Sequence, residues 1–168
     1  MKKIGLDAST TTVGYAFVDD KTVIDMGFIP IQKEKTIRDK VHLTLDVLDE
    51  VCPFERVDEI YIEDSLLSFA RGRTSQQTII KLAKFNAVLV YCLERVFGDI
   101  LQSVNAMTAR KKLFGKSREK GKTAKEFVKE QINCLYNLEK YVKLTKTGLW
   151  DKRNLDGYDA LVCALYEQ

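Results

Sequence analysis

The sequence has only two prolines in 168 residues, one histidine, and no apolar run approaching membrane-spanning length. So few prolines, with no low-complexity tract and no internal repeat, exclude a long disordered linker. A membrane span needs about 18 consecutive apolar residues, and the longest run here falls far short of that. Met1-Lys-Lys leads directly into strand-like sequence, without the apolar core of a secretion signal. The expectation is a soluble intracellular protein with no membrane partner. Cys52, Cys92, Cys134 and Cys163 show no CxxC spacing and have mostly apolar neighbours, so reduced core thiols are expected. The lone His42 falls mid-helix by pattern and is assigned no catalytic role.

The composition that remains suits a globular chain. A hydrophobic content of 45% over this length supports one domain, spanning 1–168, with a substantial core. The net charge of +3 says little about partners, but its distribution says more. Residues 110–125 carry Arg110, Lys111, Lys112, Lys116, Arg118, Lys120, Lys122 and Lys125 against the single acid Glu119. Such a run is either a solvated loop or a phosphate-binding surface.

Hydrophobic periodicity orders the elements. Residues 2–7 form a strand with Ile4 and Leu6 on one face and Gly5 and Asp7 on the other. Residues 12–19 alternate again, and Asp19-Asp-Lys21 is a hairpin turn into a third strand over 22–31. Ile37, Val41, Leu45 and Leu48 recur at helical spacing across 36–51, a helix that ends before Pro53. Residues 57–63 are a fourth strand and 100–104 a fifth, with helices over 74–96, 106–113, 122–135 and 155–167. The 74–96 helix is apolar nearly all round, which predicts burial on more than one side. The predicted class is α/β, a five-stranded mixed sheet flanked by helices.

Four acids carry the chemistry. Asp7 and Glu63 end strands, whereas Asp156 and Asp159 are three residues apart on a helix and therefore share a face, about 5–6 Å apart at Cβ. Carboxylates that meet repel one another, and hard divalent cations such as Mg²⁺ or Mn²⁺ relieve that repulsion through oxygen ligands. Gly157 costs about 1 kcal/mol in a helix interior, which predicts that this helix packs closely against something. Asp151 is expected at the helix entry or facing solvent. The set points to a two-metal phosphodiesterase site. In such a site one ion activates a water and the other stabilises the leaving 3′ oxygen, giving 5′-phosphate and 3′-hydroxyl ends.

Three segments, Ile4-Gly-Leu-Asp-Ala-Ser-Thr-Thr-Thr-Val-Gly-Tyr-Ala-Phe-Val18, Tyr61-Ile-Glu-Asp64 and Asp156-Gly-Tyr-Asp-Ala-Leu161, resemble the acidic motifs of RuvC-type Holliday junction resolvases. These belong to the ribonuclease H-like superfamily, and the compact size resembles phage or viral members. The resemblance implies a ribonuclease H-like fold. It further implies a structure-selective endodeoxyribonuclease that resolves four-way and other branched DNA by paired nicks. It places Asp7, Glu63, Asp156 and Asp159 at two Mg²⁺ ions, with Mn²⁺ able to substitute and no small-molecule cofactor. It also implies a basic residue beside the metals, for which Lys122 and Lys125 both fit. A four-way junction presents two equivalent strands, so a two-fold homodimer is expected, with Phe85, Leu89 and Leu93 of the apolar helix at its interface. Phe69 is expected to wedge against bases at the junction centre, with Arg71 and Arg73 on phosphates. Arg110, Lys111, Lys112, Lys116, Arg118 and Lys120 are expected to form the main phosphate track.

Three other readings compete. An actin-like phosphotransferase opens with a similar first motif but needs a second domain that 168 residues cannot supply. A non-catalytic DNA-binding module would be marked by the loss of an acid, and all four are present. A ribonuclease H-like nuclease acting on flaps or RNA–DNA hybrids stays open.

Overall fold

The computed structural model describes residues 1–54, 57–64 and 75–166. Five strands form one mixed sheet: β1 (Lys2–Ala8), β2 (Thr12–Asp19), β3 (Thr22–Pro30), β4 (Glu59–Glu63) and β5 (Leu101–Val104). Their spatial order is β3-β2-β1-β4-β5, antiparallel across β1–β2 and β2–β3 and parallel across β1–β4 and β4–β5. The β2–β3 hairpin turns at Asp20, whose φ of 52° is tolerated by an aspartate in a tight turn. Val57 and Asp58, expected in β4, belong instead to the turn before it. Val57 N–H donates to Phe54 O at 3.3 Å and Asp58 N–H to Lys2 O at 2.8 Å.

The helices are α1 (Ile37–Val51), α2 (Gln76–Phe97), α3 (Ala106–Phe114), α4 (Ala124–Leu135) and α5 (Asn154–Ala164). Side chains that accept from free backbone N–H groups start four of them. These are Thr36 for α1, Ser75 for α2, Asn105 for α3, and Thr123 with Glu126 in a capping box for α4. Among the described residues no helix is long and apolar enough to cross a membrane.

Alternation along the strands sends side chains into two cores. Ile4, Leu6, Val13, Tyr15, Ile60 and Ile62 pack with α1 and α2 on one face. Ala16, Val18, Met26, Tyr61 and Val104 pack with α3, α4 and α5 on the other. The expectation that α2 is buried all round is corrected. Leu82, Phe85, Leu89 and Leu93 are buried, whereas Ile80, Val88, Tyr91 and Val96 are exposed. Phe85, Leu89 and Leu93 therefore fill this chain's own core and cannot form an interface with a second copy.

Cys52 and Cys163 are buried as expected; Cys92 is half-buried, and Cys134 is exposed, contrary to expectation.

Candidate active site

The position of α5 decides where the carboxylates meet. A Cβ on Gly5 would lie 1.9 Å from Ala160 O, and one on Gly14 would lie 2.1 Å from Asp156 O. Glycine at these two strand positions lets the α5 backbone lie directly on β1 and β2. Gly157 has the same role from the helix side, since a Cβ there would meet Gly27 O at 2.9 Å. This close approach is the packing that a glycine in mid-helix predicts. It sets Asp156 beside Gly14, the partner of Asp7 in the β1–β2 register. Leu6 pairs with Ile62 across the parallel β1–β4 ladder, so Asp7 and Glu63 end adjacent strands side by side. Leu6 and Ile62 face α1 and α2, which turns Asp7 and Glu63 toward α5.

A lysine sits among these acids. Lys125, in the first turn of α4, hydrogen-bonds Asp156 Oδ1, and its Nζ lies 3.4 Å from Asp7 Oδ2 and 3.5 Å from Asp159 Oδ2. Asp159 is buried at 2% exposure, and its other oxygen accepts from the Arg110 guanidinium at 2.9 Å. Burial pushes the Asp7 carboxyl up to about 7, with Asp159 and Asp156 adding to the rise and Lys125 opposing it. Burial likewise raises Glu63 to about 8, reinforced by Asp7 and Asp159 and opposed by Arg110 and Lys125. Burial works to lower the Lys125 pKa, but the charges of Asp7, Asp159 and Asp156 overcome it and hold the ammonium well above its ordinary value. Cys163 lies under the same cluster, where burial and the nearby carboxylates raise its thiol well above the usual range.

The structure therefore separates the two candidate lysines. Lys125 reaches the carboxylates, whereas Lys122 turns away to pair with Glu130 and with Glu119. The two are three residues apart, but Lys122 precedes the Thr123 cap and lies outside the helix that aims Lys125. Arg110, expected in the phosphate track, is instead buried at 8% exposure and held by Asp159. Ala106, Ala109 and Leu113 put the apolar stripe of α3 on the side where Arg110 points, but only the pairing with the distant Asp159 explains its burial. The remaining basic run is partly occupied. Lys116 lies 3.5 Å from Glu119 and over the Phe127 ring, and Lys112 lies over Tyr166. Lys111, Arg118 and Lys120 are exposed. Phe69, Arg71 and Arg73 lie outside the described residues. Asp151, expected at the helix entry or facing solvent, is at the entry but is buried, and it binds Arg153 through both oxygens.

Four oxygen acids suit a hard divalent cation. With Lys125 among them, no group of three or more His, Cys, Asp or Glu is gathered tightly enough to hold a metal, among the described residues. The ammonium nonetheless marks where these acids accept positive charge, which is where a cation would fit. Asp7, Asp156 and Asp159 would hold it from three sides and Glu63 from the neighbouring strand.

No family model and no curated protein matches the sequence. Solved structures do. The chain superposes on RuvC of Thermus thermophilus with a TM-score of 0.65 at 16% identity, covering 98% of this chain and 92% of that one. RuvC from the same organism, in complex with a Holliday junction substrate, gives a TM-score of 0.68 at 16% identity over 98% and 90%. The yeast mitochondrial Holliday junction resolvase Ydc2 gives 0.64 at 14% identity over 97% and 75%. The fold of this chain is the ribonuclease H-like fold in the form that RuvC resolvases adopt.

Proposed function

We propose that this protein is a metal-dependent endonuclease that resolves four-way DNA junctions by paired nicks. The observation that carries the reading is the convergence of Asp7, Glu63, Asp156 and Asp159 at the ends of the central strands and on α5, with the half-exposed Lys125 ammonium paired to the three aspartates. The resolvases of the same fold supply the substrate class, since one of them is in complex with a Holliday junction.

Two Mg²⁺ ions, when bound, would activate the attacking water and stabilise the leaving 3′ oxygen. The chain's own groups set the conditions for that chemistry. Asp7 and Glu63 are held on rigid strand ends, which fixes their separation. Arg110 orients Asp159 and partly neutralises it, leaving its second oxygen turned toward Lys125. Lys125 supplies positive charge beside the carboxylates, where a phosphate that gains negative charge in the transition state would be stabilised. Lys111, Arg118 and Lys120 remain candidates for the phosphate track. Cleavage of a labelled panel of duplex, flap, RNA–DNA hybrid, three-way and four-way substrates in Mg²⁺ tests the reading. A preference for the four-way junction is expected. Selective cutting of the hybrid or the flap would move the protein to the other nuclease reading.

Two nicks on equivalent strands call for two sites, and the exposed face of α2 is the candidate dimer contact. Ile80, Val88 and Tyr91 recur along it at helical spacing. Tyr91→Glu should convert a dimer to a monomer in sedimentation at micromolar concentration, and a wild-type monomer with and without junction DNA would rule the dimer out.

A further inference from the structure

The connection between α4 and α5 was not assigned a role by the sequence, yet it flanks the carboxylates. Residues 136–153 contain Lys140, Lys143, Lys146, Lys152 and Arg153 against Glu139 and Asp151. Its second half is an ordered hairpin. Leu144 bridges Trp150 in antiparallel fashion, Thr145 N–H donates to Leu149 O at 2.7 Å, and Gly148 turns the chain at φ 77°. Asn154 ties the hairpin to α5, accepting from Lys143 N–H at 3.0 Å and donating to Lys143 O at 2.8 Å.

This hairpin holds cations over aromatic rings at the site edge of the sheet. Lys143 Nζ lies 5.0 Å from the Phe28 ring centre, and the Arg153 guanidinium lies 4.6 Å from it. Phe28 pairs with Gly14 in the β2–β3 register, and Gly14 pairs with Asp7, so Phe28 is two strands from Asp7 in the same row. At about 4.8 Å per strand that is about 10 Å. On the other side of the hairpin Lys129 Nζ lies 4.1 Å from the Trp150 ring centre. Lys129 is one helical turn beyond Lys125, on the same face of α4. Asp151 compensates Arg153, gripping Nε at 3.0 Å and an Nη at 2.6 Å, and so fixes the guanidinium plane on Phe28. Lys129, Lys140, Lys143, Lys146 and Lys152 have no carboxylate within 4.0 Å in the described structure, unlike Lys116, Lys122 and Lys125 of the 110–125 basic run.

We propose that the 143–151 hairpin and the start of α5 form a second phosphate-binding surface, on the β3 side of the carboxylates. Lys143 and Lys129 grip the backbone of the DNA strand that crosses the site, and Arg153, paired with Asp151, braces the Phe28 ring beside them. The proposal rests on the nuclease reading and deepens it by naming where that strand is held. Cations stacked on rings lose little freedom when a phosphate binds, and they keep their charge available to it. The surface lies on the opposite side of Asp156 from β4, so one strand can run from it across the carboxylates.

The test is fluorescence anisotropy of a labelled four-way junction in Ca²⁺, titrated with salt, on wild type and on the double variant Lys129→Ala, Lys143→Ala. Each phosphate contact contributes a salt slope of about 0.9, so the double variant should lower the slope by about two and weaken binding at least about tenfold. Lys143→Arg in place of Lys143→Ala should keep most of the affinity, and Lys21→Ala, in the β2–β3 turn at the opposite end of the strands, should leave the curve unchanged. A double variant with the wild-type slope and affinity, from a wild type that binds and cuts the junction, overturns the surface alone. A wild type that neither binds nor cuts it overturns the nuclease reading and the surface with it.

Discussion

The two faces of the sheet are packed on different principles. Toward α1 and α2 the core is made of Ile4, Leu6, Val13, Leu48, Phe85 and Leu89, and its buried polar groups are as modest as Thr44 and Asn86. Toward α5 the chain buries Arg110 against Asp159 and Lys3 against Glu59 at 3.1 Å, and gathers Asp7 and Asp156 with Asp159 around Lys125. Buried ion pairs are weak sources of stability, because desolvation offsets most of their attraction. The apolar face therefore supplies the rigidity that lets the other face hold like charges together. The lesson is that the catalytic candidates sit on a face stabilised from behind.

The largest break in that division is expected at Gly14. Gly14→Val puts side-chain atoms where the α5 backbone lies and should abolish folding at physiological temperature. Leu89→Ala, on the other face, should cost about 2–5 kcal/mol in denaturant unfolding. It should leave the cleavage rate per folded molecule close to wild type, because no charged group of the site touches Leu89. A Leu89→Ala protein that is folded but inactive would break the separation between the faces.

A smaller effect is expected from pH. The folded-state pKa values of Asp7 and Glu63 are raised to about 7 and about 8. Between about pH 4 and those values the folded protein holds protons that the unfolded chain has released, so this contribution to stability is present at the acid end and is lost as pH rises. Metal-free protein should therefore melt lower at pH 8 than at pH 5.5. Glu63→Gln should remove part of that difference, raising Tm at pH 8 by about 5 °C and much less at pH 5.5. Mg²⁺ at pH 8 should recover the loss in wild type, since a cation binds the ionised form. Equal melting curves for wild type and Glu63→Gln at both pH values would show that the carboxyl is not under this strain.

Much of the apolar framework was legible. Alternation at Ile4 and Leu6 against Gly5 and Asp7 placed the strand faces correctly, and Gly157 signalled the close helix–sheet contact that Gly5 and Gly14 complete. What sequence could not separate were groups whose partners are distant in the chain. Lys122 and Lys125 look equivalent until the Thr123 cap divides loop from helix, and Arg110 looks like a surface cation until Asp159, 49 residues away, is placed beside it. The outward face of α2 escaped because Ile80, Val88, Tyr91 and Val96 make its exposed side apolar as well, so periodicity carries no direction. The 143–151 hairpin escaped because Thr-Lys-Thr-Gly reads only as a turn, and its cations gain meaning from the Phe28 and Trp150 rings beneath them.

The most direct test of the carboxylate site is single-turnover cleavage of a four-way junction in Mg²⁺ by Asp7→Asn and Glu63→Gln, beside gel-shift titrations in Ca²⁺. Both changes keep shape and remove charge. Cleavage should fall by more than about a hundredfold while junction binding stays the same or tightens, because less negative charge then faces the phosphates. Either variant cutting at close to the wild-type rate would contradict the assignment of these acids to the reaction.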